Sequence, residues 1–221
     1  NERQVAVDTQ LRRGLDEGSI EVHFQPIIDL SSMSVVGAEA LMRVYAGDGS
    51  LLAPRELLAA ANENGLLRRV EAAVLHTACR RAAAWREADH QVTVSVNISD
   101  RQFHDDQLLK LIDDALTASR LSPNRLMLEI TESTIAADLE VARARIEPLR
   151  RLGVLIAVDE FCGSETIVGQ LGVLGVDLVK ILAQAHAGIV ESERWRTCCH
   201  ERCQFPDLRR LLCRQHRGPP P

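Results

Sequence analysis

From residue 92 onward the chain alternates short β-branched runs with helical segments, a pattern that builds βαβ units and a mainly parallel sheet. Residues 92–98, 125–130, 154–158 and 176–181 read as strands. Residues 107–119, 138–152, 166–174 and 183–194 read as helices, the second closed by Gly153 and the third weakened by Gly169 and Gly172. Ahead of this array, residues 4–18 form a short helical pattern stopped by Gly18. Two apolar-rich runs, 21–30 and 35–44, flank Ser31-Ser32 and predict a hairpin. Pro54 suits the first turn of a helix, and residues 57–85 carry helical spacing with a break at Asn64-Gly65.

Composition narrows the class. A chain of 221 residues suits one domain with at most an appendage, and 46% hydrophobic with 26% charged residues is too apolar for disorder. The net charge of −5 argues against a nucleic-acid polymer as partner. No apolar run approaches the roughly 20 residues that span a bilayer, and the N-terminus has no signal-peptide core. A cytoplasmic domain is expected. Asn1 in the first position suggests a piece of a longer protein, whose own membrane attachment would not show here.

Charge and cysteine divide the chain near residue 194. Residues 194–221 hold seven Arg against Glu201 and Asp207, a local net of +5, which leaves −10 for residues 1–193. Four of the six cysteines, Cys198, Cys199, Cys203 and Cys213, also fall in this tail. Cys199, Cys203, Cys213 and His216 match no zinc-ligand spacing, and the expectation is a tail without regular order, in keeping with a frameshift. Cys79 and Cys162 lie within apolar patterns and read as reduced core thiols.

The polar residues fall in a telling place. Five apolar runs end in, or contain near their C-terminal ends, a charged or amide side chain: Glu39, Asn97, Glu129 with Glu132 beyond it, Asp159-Glu160, and Lys180. In a (β/α) barrel these ends converge on one mouth, where active sites lie. Taken singly, Asn97 or Asp159 is an ordinary helix cap or turn former. Five such positions on successive strands argue for a site. Three carboxylates and one amide oxygen form a hard-oxygen set suited to Mg²⁺, Mn²⁺ or Ca²⁺, and metal-assisted hydrolysis of a phosphate ester is its natural reaction.

The motifs resemble those of a known family. Phe24-Gln25-Pro26-Ile27 followed by Glu39-Ala40-Leu41-Met42-Arg43 resembles the opening of EAL-domain cyclic di-GMP phosphodiesterases. Ser95-Val96-Asn97-Ile98-Ser99, Leu128-Glu129-Ile130-Thr131-Glu132-Ser133, Val158-Asp159-Glu160-Phe161 and Val176-Asp177 with Lys180-Ile181 follow in the family's order, covering roughly residues 8 to 190. The resemblance implies an α/β fold, a modified TIM (β/α) barrel whose first strand runs antiparallel, and cleavage of cyclic di-GMP to linear pGpG with Mg²⁺ or Mn²⁺. It implies that Glu39, Asn97, Glu129 and Asp159 hold the first metal and that Asp159 and Glu160 serve a second. Lys180 would orient the attacking water, Gln25 and Arg43 would contact the nucleotide, and Glu132 would brace the loop after the strand bearing Glu129. It also implies a homodimer, and sensory or diguanylate-cyclase domains in a longer parent.

The chain departs from the family pattern at several points. The usual Asp-Asp-Phe-Gly-Thr-Gly reads Asp159-Glu160-Phe161-Cys162-Gly163-Ser164, so one carboxylate reaches a methylene farther. Cys162 in place of Gly is disfavoured wherever that backbone needs positive φ. Glu165-Thr166-Ile167 replaces Tyr-Ser-Ser, and Leu182 replaces an Asp after Lys180-Ile181. No Glu-Gly-Val-Glu motif follows Ile181. The expectation is therefore an incomplete EAL barrel of about six of the eight strands over residues 1–193, with feeble hydrolysis. The alternatives are a degenerate module that binds nucleotide or a protein partner without cutting, and a fragment without function.

Overall fold

The computed structural model describes residues 9, 11–17, 20–45, 51, 61, 65–87, 92–162 and 165–181. Six strands form one curled sheet in chain order: β1 (Glu21–Asp29), β2 (Ser34–Arg43), β3 (Thr93–Asn97), β4 (Leu126–Thr131), β5 (Leu155–Phe161) and β6 (Leu178–Ile181). β1 runs antiparallel to β2, and every later pair is parallel. This is the barrel architecture implied by the motifs, with the first strand reversed.

The hairpin turns where polar atoms gather. One Asp29 carboxylate oxygen accepts the Ser31 N–H at 2.8 Å and the Ser32 N–H at 2.9 Å, as well as the Ser31 hydroxyl. These bonds, that of the Ser31 hydroxyl foremost, lower the Asp29 pKa to about 2. Met33 takes φ 53° to complete the turn.

The helices cover the outer face of the sheet. α1 (Leu67–Glu87) begins two residues past Gly65, whose φ is +67°. α2 (Asp100–Phe103) and α3 (Leu108–Ser119) follow β3, while α4 (Glu132–Ala137) and α5 (Leu139–Leu152) follow β4. α6 (Glu165–Val168) and α7 (Leu171–Leu174) replace the single weak helix expected over 166–174. Asp138 caps α5 through the N–H groups of Glu140 and Val141, and Gly153 closes it at φ 95°. α2 and α4 were not evident from periodicity. Each is short, and each starts at a hydroxyl cap, Ser99 or Thr131.

Alternation along the strands separates two environments. Val94, Val96, Leu126, Leu128, Ile130, Ile156 and Val158 point outward into the buried core with Leu75, Ala78, Ile112, Ile146 and Leu149 of the helices. Phe24 of β1 joins that core, its ring edge-on to Trp85 with centroids 4.8 Å apart. The opposite parity, including Glu39, Ser95, Asn97, Glu129, Asp159 and Lys180, faces the concave side.

Two details fix the register that places these polar groups. Asp177 exchanges a pair of bonds with Ile156: its carboxylate accepts the Ile156 N–H and its own N–H donates to the Ile156 carbonyl, both at 2.8 Å. At Gly37 the strands pack too closely for a side chain. A Cβ there would stand 2.9 Å from the Thr93 carbonyl oxygen and 3.4 Å from Ile27 Cδ1. Gly37→Ala is expected to cost about 1–3 kcal/mol, the range for overpacking. Denaturant unfolding measures this, and an unchanged midpoint would contradict it.

One expectation is corrected. Cys79 is a buried thiol, its pKa pushed up to about 12 by burial, but Cys162 is exposed and so not a core residue. Positive φ falls not on Cys162 but two residues earlier, on Glu160 at 54°. The helices expected over 4–18 and 57–85 are described only in part, and the helix at 183–194, Leu182 and the tail with Cys199, Cys203, Cys213 and His216 lie outside the described residues.

Candidate functional site

Register brings the polar side chains of the concave face together. Gln25 lies opposite Glu39, Glu39 beside Ser95, and Asn97 beside Glu129. Residues paired in this way present their side chains to the same face. Lys180 arrives from β6 and reaches across the sheet, its Nζ donating to Glu129 Oε2 at 2.7 Å and to Glu39 Oε2 at 2.8 Å. Asp159 Oδ2 stands 3.7 Å from the same nitrogen. Asn97 Nδ2 donates to Glu39 Oε1 at 2.9 Å, which leaves the Asn97 carbonyl oxygen as a donor atom for a cation.

A kink in β5 sets the Asp159 end of the cluster. Between Val158 and Phe161 that strand carries one residue more than the facing stretch of β6, a bulge with Glu160 in the left-handed region. Phe161 thereby returns to the buried core, while Asp159 faces Lys180 and Glu160 is exposed. Asp159 Oδ1 accepts the Glu160 N–H at 2.7 Å. Bulges of this kind re-aim side chains beside active sites.

The charges do not balance. Glu129 is 1% exposed and Lys180 5% exposed, and three carboxylates surround one ammonium. Burial would lower the Lys180 pKa, but Glu129, Glu39 and Asp159 outweigh it and hold the group above its ordinary value. Glu129 is raised by burial and by Glu39, against the pull of Lys180. Two negative charges remain uncompensated. Glu129 Oε1 is buried without a hydrogen-bond partner, as is Ser95 Oγ. Ser95 stands near enough to favour the ionised Glu129, although its hydroxyl misses bonding geometry.

These features fit a divalent cation by donor chemistry: hard oxygens, an unpartnered buried carboxylate oxygen, and two uncompensated negative charges. Among the described residues no three His, Cys, Asp or Glu side chains converge closely enough to grip an ion by themselves. The carboxylates are gathered around Lys180, and the Asn97 oxygen belongs to the set.

The other residues singled out from the sequence lie around the cluster. Gln25 is half-buried beside Glu39. Arg43 donates to the Met42 carbonyl at 2.9 Å and lines a cavity of about 230 Å³ with Arg13, Glu17 and Tyr45, outside the carboxylate–lysine cluster. Glu132, buried at the start of α4 in the segment expected to be braced after β4, accepts the Cys162 N–H at 2.6 Å and so ties that segment to the one after β5. Ser95 was missed by sequence reasoning; its position two residues before Asn97 on the same strand was the available signal.

Fold and site together define a (β/α)-barrel domain with a reversed first strand and a hard-oxygen cluster at the strand ends. The family model described as the EAL domain matches residues 8–205, and the chain belongs to that family. It is 33% identical over 151 residues to the signaling protein YkoW of Bacillus subtilis, covering 68% of this chain and 19% of that protein. It is 36% identical over 177 residues to the uncharacterized protein Rv1357c of Mycobacterium tuberculosis, covering 79% of this chain and 58% of that one. The chain thus spans about a fifth to three-fifths of the length of these relatives. Among solved structures, the PaMucR phosphodiesterase in complex with c-di-GMP superposes with a TM-score of 0.78 at 27% identity, over 87% of this chain and 83% of that one. The FimX EAL domain from Pseudomonas aeruginosa bound to c-di-GMP gives 0.69 at 28% identity, over 87% and 76%. Among the described residues no helix is long and apolar enough to cross a membrane.

Proposed function

We propose that this chain binds cyclic di-GMP on the concave face of its sheet and hydrolyses it slowly to linear pGpG. The observation that carries the reading is the buried cluster of Lys180 with Glu39, Glu129 and Asp159, two positive charges short of balance, with Glu129 Oε1 unpartnered. The likeness to a phosphodiesterase and an EAL domain, each in complex with c-di-GMP, supports the choice of substrate.

Glu39, Asn97, Glu129 and Asp159 would hold Mg²⁺ or Mn²⁺, with Glu160 serving a second ion. When bound, the ion supplies Lewis acidity to the phosphodiester and to water. The chain's own residues do the rest. Lys180 has three N–H donors; Glu39 and Glu129 take two, and Asp159 at 3.7 Å lies beyond bonding distance. The third N–H is free to hold the attacking water or a phosphoryl oxygen. Lys180 would orient that water through this N–H. Gln25 and Arg43 would contact the nucleotide from β1 and β2, while Glu132 steadies the segment that follows Asp159.

Hydrolysis is slow in this reading because Glu160 reaches a methylene farther than the usual Asp from a strained backbone. The domain is placed in residues 1–193, with 194–221 as an appendage, in a cytoplasmic protein able to pair as a homodimer and to carry sensory or diguanylate-cyclase domains. Product analysis by mass tests the reaction: linear pGpG should accumulate with Mn²⁺ and stop on chelation. Tight binding without any product would establish the binding module instead.

A further inference from the structure

Asn97 is the most exposed member of the cluster and has one side-chain bond within it, to Glu39 at 2.9 Å. Its backbone is better held. Ile98, the next residue, donates its N–H to the Glu129 carbonyl at 2.9 Å. One residue further, the Ser99 oxygen accepts the Gln102 N–H at 3.2 Å and caps α2. The Ser99 hydroxyl gives its proton to Glu71 Oε1, which comes from α1 and is 28 residues distant in sequence.

The polarity of that last bond matters. A serine hydroxyl has a single proton, and handing it to a carboxylate turns the oxygen's lone pairs toward the helix N–H. Glu71 therefore decides how Ser99 caps, and Ser99 stands two residues past Asn97. Buried Gln102 and Phe103 anchor α2 below, so the segment 97–99 runs between two fixed ends.

We propose that Glu71 is a positioning residue that, through Ser99, aims the Asn97 amide oxygen at the cation. The inference rests on the reading of Asn97 as a metal ligand. Partners of this outer kind commonly change metal affinity by about 10–100-fold when removed.

The test is Mn²⁺ affinity of the full chain, read from the spectroscopic signal of free Mn²⁺, with thermal melts to check folding. Glu71→Ala should weaken Mn²⁺ about tenfold. Glu71→Gln should recover most of the loss, since its amide carbonyl still accepts the hydroxyl. In an Asn97→Ala background, Glu71→Ala should cost nothing further. Should Glu71→Ala fold poorly, Ser99→Ala breaks the same link and should show the same tenfold loss and the same silence beside Asn97→Ala. An equal loss in both backgrounds, or no loss in either, would overturn the proposal while leaving the site reading intact. If Asn97→Ala alone leaves Mn²⁺ affinity unchanged, that ligand assignment fails and the proposal with it.

Discussion

Lys180→Met is expected to lower stability by about 3–5 kcal/mol in chelator at neutral pH, the cost of removing one partner from a buried charge set. The ammonium is buried, with Glu129 and Glu39 within 2.8 Å of it, and methionine fills its space without its charge. Three carboxylates then face one another on a concave surface that water cannot fully reach. Two remedies should work. Mn²⁺ at a hundredfold excess over its dissociation constant should return about 2.7 kcal/mol. Acid should also help, because burial holds the Glu129 pKa above its unfolded value. Glu129 is already raised by burial and by Glu39, and it loses the opposing pull of Lys180. A group raised in this way contributes stability below its unfolded pKa and loses it as pH rises through the folded value. The variant should therefore be more stable near pH 5 than near pH 8 in denaturant titrations. Equal stability at both, without response to Mn²⁺, would show that the cluster is not electrostatically strained.

Glu160→Asp should raise turnover tenfold or more and also raise the melting temperature. Glu160 sits at φ 54°, in a region where a non-glycine residue costs about 1–3 kcal/mol and where Asp is tolerated better than Glu. Shortening the side chain also withdraws its carboxylate toward the bulge that holds Asp159 beside Lys180. A displacement of about 1 Å in a reacting group can cost about 10²-fold in rate, which sets the ceiling of the gain. Glu160→Gly provides the contrast: it should share the stability gain and lose activity. Steady-state rates and melts on the three proteins separate the two effects. A slower Glu160→Asp would mean that the longer side chain is the one this site requires.

Much of this architecture was legible because it is written in period. Runs of β-branched residues alternating with 3.6-residue periodicity gave the strands, and α5 appears with both its Asp138 cap and its Gly153 stop. α2 and α4 were not legible, since four to six residues carry no measurable period and only Ser99 and Thr131 mark them. The bulge in β5 was not legible for a similar reason. A missing glycine pointed to Cys162, but what the strand needs is an extra residue that returns Phe161 to the core, and Glu160 absorbs the turn. The members of the cluster were identified one by one from strand ends. That Lys180 bonds Glu39 across 141 residues of chain is a product of sheet curl, which strand order alone does not convey. Glu71 carried no signal, being one charged residue among several on α1.

The central claim is that the Lys180 cluster gives this chain phosphodiesterase activity, and the rate of cyclic di-GMP conversion under saturating Mn²⁺ tests it most directly. Wild-type chain and Glu39→Ala should be assayed side by side. Glu39 bonds both Asn97 and Lys180, so its removal takes a ligand from the cation and slackens two of the groups that remain. The expected result is slow formation of linear pGpG by the wild-type chain, falling at least a hundredfold in Glu39→Ala, in line with the roughly 10²–10³ lost when a single stabilising group is removed. Conversion at the same rate in both proteins, or none in the wild type, would contradict the account.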